Sequence, residues 1–422
     1  MLNHWRFSKK SNFLIAVAII AVILVSVFVF LPKQCVGSNN SRPPGLIESA
    51  LTVNSTVWMQ VAANAWEYYQ PGVGVNANSG LPYAGTGFNG FTDWDLGGYI
   101  QAIVDAQRLG LIGNDSVWDF SARIDKVLTF LENQPLNTTT NYPFQFYNAT
   151  TGQECTGIAQ EETLDISDTG RLFVALNNLI NYNNSLALRV DNIVLNGRSN
   201  YSALVPSIER RSNSNSIYDY FYASSFALFW PNQLSTVPTT ILNNILSAGN
   251  VTTYGDVSLP KASICCDPLL LSVFELNNNS SRLMALSKQV YLASEAYYDS
   301  TGKYAAFSEG NSPKIEDGIS YIWEWVVLPN GDTWKTTGAN ARVYLNIKPA
   351  IYTKVAFSFF SLYNTAYARN MIIYLEQTLP EPTNGYYDGA DNNGNLVSDL
   401  GSNTNSLILD AALHYIQNNP NS

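Results

Sequence analysis

Helical periodicity returns about a dozen times between position 46 and the end of this 422-residue chain, and nothing else narrows the fold so far. Apolar residues recur every three to four positions, as one buried face of a helix requires. The first segments are 46–69, 93–111, 115–133 and 166–182. In the second, Leu96, Ile100, Ile103 and Val104 share a face; in the fourth, Leu172, Leu176, Leu179 and Ile180 do. Others lie near 185–210, 216–230, 238–248, 267–276, 282–299, 350–363, 366–379 and 404–418. Only 142–147 and 302–347 read as strands or ordered loops. Twelve helices with short connections predict a mainly α domain over 46–422, an (α/α)6 toroid of six helical hairpins with small β-hairpin insertions. A repeat solenoid competes, but the hairpins share no sequence period.

The domain is expected to follow one transmembrane helix. Residues 13–31, FLIAVAIIAVILVSVFVFL, are unbroken apolar sequence. Nineteen residues at ~1.5 Å each cover about 28 Å, close to a bilayer core. Arg6, Lys9 and Lys10 precede the run. By the positive-inside rule they predict a cytoplasmic tail over 1–12, a signal-anchor over 13–31 in the bilayer, a linker over 32–45 and a domain outside. A cleaved leader, or pilin-like cleavage near Lys10, competes with a retained anchor. Ten N-x-[ST] sequons, among them Asn54, Asn148 and Asn250, fit a glycoprotein but are near what 46 asparagines produce by chance. Cys155 could bridge to Cys265 or Cys266, or the adjacent pair could bridge to itself.

Charge and histidine remove whole classes of function. Beyond position 33 the chain has 19 Lys and Arg against 33 Asp and Glu, the wrong balance for nucleic acid. The only histidines are His4 and His414, so a His-ligated metal cluster in the domain is excluded, and neither metal nor cofactor is expected. Proton transfer near neutral pH then falls to carboxyl groups with shifted pKa.

Four segments gather carboxylates, aromatics and glycines where helices or strands should end. In TDWDLGGY (92–99), Asp95 falls in a first helical turn with Trp94 beside it. It serves as a helix-start anion or as a cleft carboxylate with a sugar-stacking ring. In LDISDTGR (164–171), Asp168 stands three residues from both Asp165 and Arg171, and an ion pair with Arg171 competes with a role in chemistry. In FSEG (307–310) and YIWEWVV (321–327), Glu309 ends a strand and Glu324 lies between Trp323 and Trp325. Burial among rings would raise such a carboxyl, unless Glu324 faces water while the tryptophans face in. GYYDGADNNGN (385–395) holds Asp388 and a calcium-like alternation at Asp391, Asn393 and Asn395, which lacks the closing Glu.

Taken in order, TDWDLGGYIQAIVDAQRLGLI, LDISDTGRLFVALNNL, FSEG with YIWEWVV, and GYYDG followed by SNTNSLILDAALHY resemble an uncharacterised domain family of the six-hairpin glycosidase superfamily. The resemblance spans about 58–418 and implies the toroid, a cleft formed by loops on one side, and a polysaccharide or glycoconjugate ligand. Superfamily members break glycosidic bonds with paired carboxylates. Carried onto this chain, the motif acids are Asp95, Asp168, Glu309, Glu324 and Asp388. The expected assignment is Glu309 as acid and Asp95 as base, with Asp168 as alternate. Glu324, Asp388, Trp94, Trp323 and Trp325 would hold sugar. The competing expectation is a glycan-binding or envelope-architecture module without turnover. Oligomeric state is not legible.

Overall fold

The computed structural model describes residues 42–114, 117–155, 164–276, 280–316, 319–338 and 343–419. The chain divides at Pro43–Pro44, and the fold is that of the unit Pro44–Ser422. Among the described residues twelve helices have eight or more residues. They are α1 (Ser55–Trp66), α2 (Asp93–Arg108), α3 (Phe120–Asn133), α4 (Ile166–Tyr182), α5 (Ala187–Val194) and α6 (Ile217–Ala227). They continue as α7 (Val237–Ser247), α8 (Cys266–Phe274), α9 (Ser281–Thr301), α10 (Thr353–Tyr363), α11 (Ala366–Thr378) and α12 (Ser402–Asn418).

The even-numbered helices form a closed inner ring. Each of α2, α4, α6, α8, α10 and α12 packs on the next, and α12 packs back on α2. Outside it, α1 covers α12, α3 covers α2, α5 lies on α3 and α4, α7 on α6, α9 on α8 and α11 on α10. This is the six-hairpin toroid. The two layers differ in sequence for a physical reason. Outer α3 buries a single stripe of Arg123, Ile124, Val127, Leu128 and Leu131. Inner α2 is buried from Asp93 to Ala106 without a break, so its small residues matter as much as its large ones. A Cβ on Gly97 would lie 2.8 Å from backbone atoms of Arg171 and Leu172. Gly97 thus lets α2 and α4 touch backbone to backbone, while Gly98 leaves room for the side chains of Ser406 and Arg171.

Small sheets decorate the ring. β1 (Gly90–Phe91) pairs with β2 (Tyr147–Asn148), and β3 (Asn250–Thr252) with β4 (Ser258–Pro260). β5 (Glu309–Glu316), β6 (Ile319–Val327) and β7 (Thr333–Thr337) form an antiparallel sheet with Glu309 opposite Trp323. β8 (Ala350–Tyr352), β9 (Tyr387–Asp391) and β10 (Leu396–Leu400) form another.

Several expectations are corrected. Among the described residues no helix is long and apolar enough to cross a membrane. The expected span 13–31 and tail 1–12 lie outside the described residues. Over the described residues the fold class is the α toroid, with no transmembrane helix among them, and the expected membrane anchor, bilayer partner and single-pass placement are withdrawn. The helix read over 46–69 is broken. Asn54 accepts from the Thr56 and Val57 amides and starts α1 afresh, separate from a turn at Leu46–Ser49. The 185–210 segment divides into α5 and shorter turns. Of the strand expected over 142–147, only Tyr147 pairs within a strand. Cys155, Cys265 and Cys266 are free thiols, so no bridge joins them. The Asp391 carboxylate accepts from the amides and side chains of Asn393 and Asn395, which uses it to close a turn.

Candidate active site

Five of the six inner helices open onto one cleft of about 930 Å³. The caps and first turns supply Thr92, Trp94 and Asp95 from α2, Asp165 and Asp168 from α4, and Tyr218 and Asp219 from α6. Lys354 comes from α10, and Gly401, Asn403 and Thr404 from α12. The β5–β6 sheet adds Glu309, Asn311, Tyr321, Trp323 and Trp325, and the β9–β10 hairpin adds Asp388 and Asp399. Converging helix N-termini each carry roughly half a positive charge, which favours anions in the cleft.

The carboxyl groups differ in what holds them. Asp95 closes a capping box: its Oδ2 accepts the Thr92 amide at 3.0 Å and the Thr92 hydroxyl at 3.3 Å. Burial pushes its pKa up to about 6, against the pull of the Thr92 amide and Arg171. Glu309 accepts the Tyr218 hydroxyl on Oε2 at 2.5 Å. Burial first, then the charge of Asp267, pushes its pKa up to about 7, and Lys354 acts against them. Lys354 is itself buried, pairs with Asp267 and donates to the Glu309 backbone carbonyl at 2.9 Å. Asp168 is half-buried, and burial raises its pKa well above the usual range, helped by Asp165, Asp95, Glu309 and Asp93. Asp388 accepts from Thr404 at 2.6 Å and Asn311 at 3.2 Å, and burial takes it to about 6.

The tryptophans and Glu324 follow the pleat of β6. Tyr321, Trp323 and Trp325 line the cleft, while Ile322, Glu324 and Val326 are fully buried. Side chains alternate across a strand, so the tryptophans face the cleft and Glu324 faces the core, the reverse of the orientation weighed against a buried glutamate. Glu324 accepts the Ala350 amide on Oε1 at 2.7 Å, and burial raises it well above the carboxylate range. Its Oε2 has no partner among the described residues. Glu324→Gln is therefore expected to fold and to keep the function of the cleft. Burial favours the protonated wild-type group in the fold, so ionising it costs stability as pH rises above the unfolded carboxyl range. The variant should match the wild-type melting temperature near pH 4 and exceed it at pH 8. Equal melting curves at both pH values would show that Glu324 ionises freely.

Trp94 lines the cleft but is only 5% exposed. The Arg171 guanidinium lies 5.1 Å from its ring centroid and Phe221 meets it edge-on. Arg171 does not pair with Asp168. It binds Glu275 through Nε and Nη2, the closest contact being 2.7 Å, and also bonds Asn403 and Ser406. The sequence reading missed Tyr218, Lys354, Asn311 and Asp399. Tyr218 and Lys354 stand at helix starts, the same signal that singled out Asp95. Asn311 follows FSEG directly.

The comparisons with known proteins agree with this architecture. A putative glucoamylase from Bacteroides uniformis is 14% identical at a TM-score of 0.61, over 87% of this chain and 93% of its own. An endo-β-1,2-glucanase from Chitinophaga pinensis, solved with sophorotriose and glucose, is 12% identical at 0.59, over 86% and 94%. A β-1,2-glucanase from Parabacteroides distasonis is 14% identical at 0.57, but the 87% of this chain that matches spans only 57% of that protein. At such identities the likeness is one of fold. No curated protein matches the sequence. The model of a family described as protein of unknown function, DUF3131, matches residues 60–207 and 237–419. The chain belongs to that family, and its fold is that of the six-hairpin glycosidase-like superfamily.

Proposed function

We propose that the domain is a glycoside hydrolase acting on an oligo- or polysaccharide. The observation that carries this reading is the meeting of Glu309, Asp95, Asp168 and Asp388 in one aromatic-walled cleft. The fold likeness to glucanases supports it. Glu309 is the general acid: held near pH 7, it keeps a proton to give to the leaving glycosidic oxygen. Asp95 has the lower pKa and two Thr92 donors, so it is the carboxylate that takes a proton from water or attacks the sugar carbon. Asp168 is the alternate acid. Asp388, Trp323 and Trp325 hold the sugar, and Trp94 offers only the edge that Arg171 and Phe221 leave uncovered.

The test is release of reducing ends by the purified protein from α- and β-glucans, β-1,2-glucan included, and from mannans, with Glu309→Gln in parallel. Release by wild type that is lost in the variant supports hydrolysis. Saturable binding without release in both forms would replace it with a glycan-binding module.

A further inference from the structure

The groups around Glu309 do more than bury it. Tyr218 lies in the first turn of α6, and its ring packs edge-on against Trp325 at 5.9 Å. That contact aims the hydroxyl at Oε2 of Glu309, 2.5 Å away. The same hydroxyl lies 3.5 Å from Sγ of Cys265. It has one hydrogen, and the carboxyl oxygen is the nearer and stronger acceptor. From below, Lys354 holds the Glu309 backbone carbonyl. The residue is fixed at both ends, and only one carboxyl oxygen is engaged by the tyrosine.

We propose that Tyr218 is a positioning residue for Glu309: its hydroxyl occupies Oε2 as a donor, so the carboxylic proton is carried on Oε1 and delivered from there. The proposal rests on the reading of Glu309 as general acid. In the protonated state the Tyr218 hydrogen and the carboxyl hydrogen cannot both lie between the two oxygens. In the ionised state the Tyr218 bond stabilises the new charge, which eases proton release to the leaving group. Other groups act on Glu309 as well. Asp267 opposes its ionisation, Lys354 and a hydrogen bond from the Trp323 indole favour it, and Asp168, Cys265, Tyr321 and Tyr352 each feel its charge. Replacing the hydroxyl leaves those neighbours in place.

The test is Tyr218→Phe, which keeps the ring against Trp325. Carboxyl carbons of glutamate-labelled protein are titrated by NMR, and Glu309→Gln identifies the resonance. Losing a hydrogen bond to a charged group should move the Glu309 midpoint upward by about one pH unit or more. In turnover assays the alkaline limb of kcat/KM should rise by the same amount, with a lower kcat. Cys265→Ala, which loosens packing around the same ring, should leave the midpoint in place. An unmoved midpoint in Tyr218→Phe, or an equal shift in Cys265→Ala, overturns the proposal. If wild type cleaves no glycan, the hydrolase reading fails separately, and the titration still decides whether Tyr218 holds the carboxyl.

Discussion

Glu309→Gln is expected to lower turnover by about 10²- to 10⁴-fold, the usual contribution of a general acid. Glycan affinity should change little, because Gln keeps the shape and can still accept from Tyr218. The argument rests on the opposed states of two carboxyls. Glu309 must be protonated to act, so activity falls as pH rises through its pKa of about 7. Asp95 must be ionised, so activity falls as pH drops through its pKa of about 6. The wild-type profile of kcat/KM, which reports the free enzyme, should be a narrow bell with its maximum between these values. Glu309→Gln should flatten the alkaline limb of whatever activity survives. Full activity in the variant, or a profile that keeps rising above pH 8, would remove Glu309 from the acid role and leave Asp168 to be tried.

Arg171→Met should destabilise the domain by about 3–5 kcal/mol, the cost of leaving a buried partner charged and alone. Arg171 and Glu275 are both fully buried. Arg171 belongs to α4, Glu275 caps the end of α8, and Asn403 and Ser406 belong to α12, with Trp94 of α2 under the guanidinium. One side chain thus ties together four of the six inner helices. Asp105 and Asp410 lie close to Glu275, and burial together with the Glu275 charge raises both carboxyls. Removing the cation takes the Arg171 counter-charge from Glu275 and Asp410. The measurement is urea unfolding of the two single variants and of Arg171→Met with Glu275→Leu. The double variant should recover much of the loss, since an apolar pair can replace a buried ion pair at little cost. A double variant as unstable as the sum of the singles would show that Arg171 and Glu275 are not coupled and would overturn this account.

The two predictions separate what can be read along the chain from what cannot. The inner helices were visible because 3.6-residue periodicity and capping residues are local. Thr92 with Asp95, and Asp165 at the head of α4, mark starts that the structure keeps. The break at Asn54 was missed because Asn54 lies within a stretch whose apolar spacing runs on unchanged across it. Arg171 was read against Asp168, three residues away, but its partner is Glu275, 104 residues away.

The β6 strand shows the same limit. Its sequence sets a strict alternation, with Tyr321, Trp323 and Trp325 on one face and Glu324 on the other. Which face meets the cleft was decided only when Glu309 paired opposite Trp323 and the sheet was laid against the ring. That register is why Glu309 borders the cleft and Glu324 is sealed in the core. Period and caps come from bonds within a few residues of each other, so the sequence determines them alone. Partner, exposure and pKa come from contacts between elements far apart in the chain, and those exist only once the toroid has closed.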